Sequence, residues 1–288
     1  MKNVLRFFRK ITVSISPEVA NKIMYLKLIG KKLNLKNPET FNEKINYLKL
    51  YVFPNDKNVI QCADKYLVRK YVENKNLSNI LVPLIGCWNI PDEINWERLP
   101  NKFAMKCNHG CGYNIICNDK SKLDIKKTNK MLKKWMKEDF GKVSGELHYS
   151  KISRKIICEK FLADDIKDYK FFCFNGEPKF FYISQNVNGD FHNMQADFFY
   201  LDGSKTEFER IDHKHFINKP QIPSNIKEMI EISKKLSSEF KFVRVDLFSV
   251  DEKIYFSELT FTPCSGFMPI SPYEWDKKIG DWIDINKK

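Results

Sequence analysis

Residues 240–266, FKFVRVDLFSVDEKIYFSELTFTPCSG, admit few folds. Two runs of alternating character, 243–250 and 254–260, flank a polar turn at Asp251-Glu252-Lys253 and predict a β-hairpin. Alternation sets Arg244, Asp246 and Phe248 on one face of the first strand, and Phe256, Glu258 and Thr260 on one face of the second. A three-residue turn then puts Asp246 opposite Glu258 and Arg244 opposite Thr260. Directly opposed side chains sit about 5 Å apart, and like charges there repel. Two facing carboxylates therefore call for a cation between them, and an arginine on the same face calls for an anion beyond it. Carboxylates, a divalent metal and a phosphate are the parts of a phosphoryl-transfer site. A slip of one residue would put the carboxylates on opposite faces, and the hairpin alone also reads as an exposed ribbon with scattered charge.

The chain is long enough, at 288 residues with 43% hydrophobic content, for a buried core and two or three subdomains. Its formal net charge of +13 favours an anionic partner. The aromatics fall at strand spacing, as core residues do, and not as exposed stacking platforms, so nucleic acid is not expected. Eight cysteines, several inside apolar runs, read as small core residues of a reducing compartment. No apolar run reaches the roughly 18 residues of a membrane span, no signal-peptide pattern opens the chain, and the expected location is cytoplasmic. The opening segment MKNVLRFFRK sets Phe7, Phe8 and Ile11 beside Lys2, Arg6, Arg9 and Lys10. It reads either as a peripheral contact with the inner membrane surface or as a terminus packed on the domain.

Ser16-Pro17-Glu18 is a helix start. Further helices are predicted from Pro38 to about Tyr51, over 63–73 (ADKYLVRKYVE), over 91–99, over 124–140 and over 224–239. From about residue 100 strands dominate, at 102–107, 113–117, 155–162, 169–174, 179–184 and 197–201, with Asn175-Gly176 a strong hairpin signal. The fold class is α+β with antiparallel sheets.

Lys106 ends a strand before the loop His109-Gly110-Cys111-Gly112. Glycines let backbone N–H groups approach an anion, and a lysine supplies mobile positive charge. The lysine precedes the glycines, so this is not a Walker A loop. Cys107, His109, Cys111 and Cys117 lack paired zinc-ligand spacing. Cys158-Glu159-Lys160-Phe161-Leu162 is an apolar strand ending in a charged hinge, whose free backbone groups could read a purine edge.

Taken in order, Asp64-Lys65 with Arg69, the Lys106 strand with its glycine loop, the hinge EKFL, then RVD and E-x-T resemble the ATP-grasp superfamily. With the segments FNEKI, ADKYLVRKYV and NHGCGYN they resemble its TupA-like branch, found in bacterial capsule, teichuronopeptide and lipopolysaccharide gene clusters. The resemblance covers residues 37–269. It implies two α+β subdomains, 101–167 and 168–288, whose antiparallel sheets clasp ATP, preceded by a mainly helical region, 1–100, on the acceptor side. It implies that Lys106, Arg69 and Lys65 contact nucleotide phosphates and that the loop with His109, Gly110 and Gly112 closes over them. Glu159 would bond the adenine amino group with the Lys160 carbonyl and the Leu162 N–H, and Asp168 would hold the ribose. Asp246 and Glu258 would ligate Mg²⁺. Thr260 stands where the family usually carries Asn. Arg244 and Lys106 would be catalytic, with Arg244 on the transferred phosphoryl group.

The implied reaction is ATP-dependent carboxylate–amine ligation. The expected acceptor is an anionic sugar or nucleotide-sugar carboxylate of uronic-acid type, joined to a small amine in surface polysaccharide biosynthesis. A glycosyltransferase of capsule or lipopolysaccharide assembly, or a sugar kinase on the same fold, are the alternatives. His148, Tyr149, Lys170, Gln185, Asn186 and His192 are candidates for the acceptor pocket.

Overall fold

A computed structural model of the protein describes residues 2–186 and 194–286. Apolar alternation in the second third of the chain becomes a four-stranded antiparallel sheet. It comprises β1 (Leu84–Trp88), β2 (Phe103–Cys107), β3 (Asn114–Cys117) and β4 (Ile156–Lys160), in the order β1-β4-β2-β3. Phe103, Met105 and Cys107 are buried on one face, packed with Leu132 of α6 (Ile125–Lys137), which the short α7 (Phe140–Ser144) follows, while Ala104 and Lys106 alternate onto the other. The edge strand β1 comes from upstream of residue 101.

The larger sheet has five antiparallel strands in the order β10-β9-β5-β6-β7: β5 (Asp168–Phe174), β6 (Glu177–Asn186), β7 (Met194–Tyr200), β9 (Phe242–Val250) and β10 (Lys253–Thr260). Between β7 and β9, β8 (Glu209–Arg210) pairs with β11 (Ile270–Ser271). Both faces of the large sheet are covered, so its strands read as near-continuous apolar runs. On one face Phe171, Cys173, Val243 and Val245 lie under α8 (Ile226–Ser237), which contributes Met229, Ile232 and Leu236. On the other, Phe172, Phe174 and Phe242 pack in tilted and edge-on contacts with Phe41 of α3 (Phe41–Tyr47), 5.1 Å from Phe242 between ring centroids. Each fully buried phenylalanine is worth roughly 2–3 kcal/mol of burial. The far end of that same face carries Asp168, Lys170, Arg244 and Asp246. The aromatic floor thus fixes the polar end of the sheet.

The hairpin turn at β9–β10 differs from the three-residue expectation. Val250 pairs directly with Lys253, so Asp251 and Glu252 alone form the turn, both with left-handed φ of 49° and 59°. A bulge at Ser257 then adds one residue to β10, and beyond it Glu258 faces Asp246 and Thr260 faces Arg244, as expected. The bulge changes which side Phe256 takes. It pairs with Leu247 and is buried on the α8 face, opposite to Glu258 and Thr260.

Two helical expectations are also corrected. The segment 63–73 is broken into α4 (Lys57–Ala63) and α5 (Val68–Asn74). The Asp64 carboxylate accepts from the Tyr66 and Leu67 N–H groups and from Asn108 Nδ2, which satisfies the backbone outside a helix. The segment 91–99 holds only a 3₁₀ turn, Pro91–Glu93, and is otherwise irregular. The first helices are α1 (Lys2–Ile15) and α2 (Pro17–Ile29), the second capped by the Ser16 hydroxyl at the Val19 N–H. Towards the C-terminus α9 (Glu274–Asp281) packs on α3, and Asp276 accepts from the Asn42 N–H at 3.0 Å.

Candidate nucleotide and metal site

Basic and acidic side chains from both sheets meet in one cluster. On the large sheet Asp246 is fully buried and receives Arg244 in a fork, Nε at 2.7 Å and Nη2 at 2.6 Å. Lys170 Nζ lies 2.8 Å from Asp246 Oδ2 and 3.1 Å from Asp168 Oδ2. Asp168 Oδ1 is buried with no hydrogen-bond partner among the described residues. Glu258 faces this group with 31% of its side chain exposed. Its Oε1 lies 3.5 Å from Arg244 and its Oε2 3.6 Å from Lys65. The Thr260 hydroxyl accepts from Arg244 at 3.0 Å and donates to Glu258 at 3.0 Å. Thr260 therefore acts as a bridge that orients the carboxylate.

On the small sheet Glu159 pairs with Lys106 at 2.8 Å and with Arg69 at 3.3 Å, and Arg69 also donates to the Val82 carbonyl at 2.9 Å. Lys65 joins the two halves, because its Nζ also donates to the Gly110 carbonyl at 2.7 Å. The α4–α5 break is what places Lys65 there.

The electrostatics follow from these contacts. Burial alone would raise the Glu258 carboxyl, but Lys65, Arg244 and Lys170 outweigh it and bring it down to about 2. Burial works against the charge on Lys106, and Glu159 overcomes it, so that pKa is raised. Asp168 moves up because its burial outweighs the pull of Lys170.

All donors facing the Asp246 end are oxygens, of the kind that suits Mg²⁺. Among the described residues no group of three acidic or ligating side chains is arranged around a metal position. Mg²⁺ commonly takes only one or two carboxylates plus phosphate oxygens and water, and Asp246 with Glu258 fits that requirement. The Lys170 ammonium between Asp168 and Asp246 also shows that positive charge is accepted there.

Of the residues picked from sequence, Lys65, Arg69, Lys106, Glu159, Asp168, Arg244, Asp246, Glu258 and Thr260 belong to this paired cluster. Glu159 contacts both Arg69 and Lys106, although the resemblance assigns it to the opposite end of a nucleotide from them. Lys160 and Leu162 line a cleft of about 810 Å³ at the hinge, with Pro83, Ile85, Lys102 and Phe161. Its size suits a small ligand, and its lining does not reach the phosphate-side cations.

His109 is not brought to the cluster. It is buried against the Tyr113 ring with Nε2 3.1 Å from the Trp135 carbonyl, because the loop turns its apolar side into the small-sheet core. Gly110 is required by packing, since a Cβ there would stand 2.7 Å from the Phe140 ring. Gly112 is required by its φ of +76°.

Among the acceptor-pocket candidates, His148 is wholly buried against Phe53 and Tyr149, and burial pushes its pKa down to about 3. Tyr149 is likewise core. Gln185 donates to the Asp165 carbonyl at 3.1 Å on the surface. His192 and the Asn186 side chain lie outside the described residues. Lys170 belongs instead to the carboxylate cluster. Sequence reasoning also missed Tyr182, whose ring centroid lies 5.8 Å from the guanidinium of Arg210 and 5.9 Å from that of Arg244. Arg210 is held by Asp212 through Nε at 3.0 Å and Nη2 at 2.8 Å.

No curated protein sequence matches the chain. Among solved structures it is similar to D-alanine–D-alanine ligase from Bacillus anthracis complexed with ATP, at 13% identity over 70% of this chain and 55% of that one, TM-score 0.43. It is similar to D-alanine–D-alanine ligase from Helicobacter pylori, at 13% identity over 86% of this chain and 70% of that one, TM-score 0.47. It is similar to L-amino acid ligase from Bacillus licheniformis, at 10% identity over 76% of this chain and 48% of that one, TM-score 0.42. The chain spans about half the length of the first and third of these proteins. The model of the TupA-like ATP-grasp family matches residues 43–284, most of the chain and both sheets, and the protein belongs to that family.

Proposed function

We propose that the protein is an ATP-dependent carboxylate–amine ligase. In this reading it acts in the cytoplasm on an anionic sugar or nucleotide-sugar carboxylate of uronic-acid type, and forms an amide with a small amine in bacterial surface polysaccharide biosynthesis. One observation carries the proposal: Lys65, Arg69, Lys106, Lys170 and Arg244 converge on Glu159, Asp168, Asp246 and Glu258 from the two sheets and the α4–α5 segment. A cluster so densely and evenly paired is suited to exchange its internal partners for a triphosphate and a cation.

A carboxylate is a poor electrophile, and phosphorylation converts one of its oxygens into part of a leaving group. An acceptor carboxylate oxygen attacks the γ-phosphorus, the bond from that phosphorus to the bridging oxygen breaks, and ADP departs. The amine nitrogen then attacks the acyl carbon, the carbon–oxygen bond to phosphate breaks, and the nitrogen loses its proton to solvent. Lys65, Lys106 and Arg69 hold phosphate oxygens through these steps. Arg244, fixed by Asp246 and Thr260, presents its guanidinium to the phosphoryl group in flight. Mg²⁺, which Asp246 and Glu258 would hold with Thr260 beside them, supplies neutralising charge when one anion attacks another. Arg210, on the same Tyr182 ring as Arg244, offers a second guanidinium for an anionic acceptor.

The test is to incubate the protein with ATP, Mg²⁺, UDP-glucuronate and a panel of amines, then measure ADP and the product mass. Formation of the amide with equimolar ADP is expected. A phosphorylated sugar would identify a kinase, and UDP release without ATP a glycosyltransferase. Glu258→Gln should lower ADP formation at least about a hundredfold while the protein stays folded.

A further inference from the structure

The N-terminal helices carry charge and apolar surface that the nucleotide site does not use. Residues 1–38 contain nine Lys and Arg and one acid, Glu18, so they hold +8 of the net +13. They precede the segment that matches the family, which starts at residue 43. Helix α2 buries Ala20, Asn21 and Tyr25 on its inner side. Its outer side bears Val19, Ile23 and Leu26, spaced i, i+4 and i+7, at 49%, 55% and 54% exposure. Lys22 and Lys27 flank this stripe on either side, both exposed. At the end of α1, Ile11 and Ile15 add 40% and 80% exposure, and Lys10, Lys31, Lys32 and Lys36 are exposed nearby in sequence. The sequence pointed to the first ten residues for such a contact. Their side chains up to residue 8 lie outside the described ones, and the bare apolar stripe is on α2 instead.

We infer that the outer face of α2, with the end of α1, docks on an anionic lipid surface. An apolar stripe between lysines suits the boundary of headgroups and acyl chains: the leucine, isoleucine and valine side chains enter, and the lysine stems lie along it with their ammonium groups among phosphates. A second copy of this chain is the poorer occupant, because self-association through this face would bring two such lysine-rich segments together. No helix among the described residues is long and apolar enough to cross a membrane, so the contact inferred is one of lying on the surface. The inference does not depend on the ligase reading.

The experiment is sedimentation of the full chain with two kinds of vesicle, pure phosphatidylcholine and phosphatidylcholine with about one-third phosphatidylglycerol. Binding to the anionic vesicles alone is expected, weakening as salt is raised. Combined Val19→Ser, Ile23→Ser and Leu26→Ser should reduce the bound fraction at least about fivefold at low salt. These positions are exposed, so the thermal transition should stay within a few degrees of wild type. Lys22→Gln with Lys27→Gln should weaken binding while leaving the apolar stripe intact. Absence of binding to anionic vesicles, equal binding to both kinds, or wild-type binding by the triple variant would overturn the inference. So would a sedimentation-velocity dimer that the triple variant abolishes, which would assign the face to a second copy.

Discussion

Glu258 is held at about 2 by three cations that overcome its burial, against an ordinary value of 4.5. Its folded pKa is depressed, so the stability it contributes is fully present above pH 4.5 and is lost as pH falls through about 2. Glu258→Gln is therefore expected to be less stable than wild type by about 1–2 kcal/mol from pH 5 to 8, allowing for partial exposure, with the gap closing on acidification. Urea unfolding at several pH values measures this. Lys170 makes a sharper case. Its place on a strand face with Asp168 was legible from alternation in DYKFFCF, but its contact with Asp246 depends on β5 pairing with β9, which no local pattern encodes. Lys170→Met would leave the buried Asp168 without its cation and Asp246 with Arg244 alone, at a cost of about 3 kcal/mol. Millimolar Mg²⁺ without nucleotide should then raise the melting temperature of the variant more than that of wild type. An equal shift in both would remove this end of the site as the metal position.

The β9–β10 hairpin shows at the scale of an element how a correct pairing can arise from different local geometry. Asp251-Glu252 contains neither Gly nor Asn, so nothing in it announces a two-residue turn with left-handed φ at both positions. The bulge at Ser257 restores the pairing of Glu258 with Asp246, and also sends Phe256 and Leu259 together into the core. Deleting Ser257 would give an uninterrupted hairpin in which Phe256 still pairs with Leu247 and Glu258 with Asp246, so both faces are kept. The expected cost is below about 2 kcal/mol, from loss of the local twist that the bulge adds. Ser257→Gly keeps the extra residue and should cost less than about 1 kcal/mol, with any ATP-dependent thermal shift retained in both variants. A loss of about 4 kcal/mol or failure to fold in the deletion variant, read from denaturant midpoints, would mean that β10 slips by one residue and exchanges its faces. The break between α4 and α5 was hidden for a comparable reason. ADKYLVRKYVE has helical periodicity, but Asp64 finds its partner in Asn108 on the small sheet.

Across the whole molecule, the order of the motifs along the chain was legible and their meeting in space was not. Lys65 and the glycine loop read as separate features, yet Lys65 ties the Gly110 carbonyl to Glu258 and so links the small-sheet loop to the large sheet. That tie makes the loop a reporter of what enters between the sheets. Cys111 sits in it and is the exposed cysteine among the described residues, whereas Cys62, Cys107, Cys117, Cys158 and Cys173 are buried. If a triphosphate draws Lys65 and the loop onto itself, Cys111 becomes shielded. Reaction with a maleimide should then slow at least about tenfold when a non-hydrolysable ATP analogue and Mg²⁺ are added. Cys111→Ser identifies the signal against the half-buried Cys87 and Cys264. Lys65→Ala should reduce the protection, because the loop loses its charged link while the remaining cations still hold the nucleotide. An analogue that raises the melting temperature but leaves Cys111 reacting at its original rate would mean that nucleotide binds without the loop. Lys65 would then serve only as a brace between the sheets.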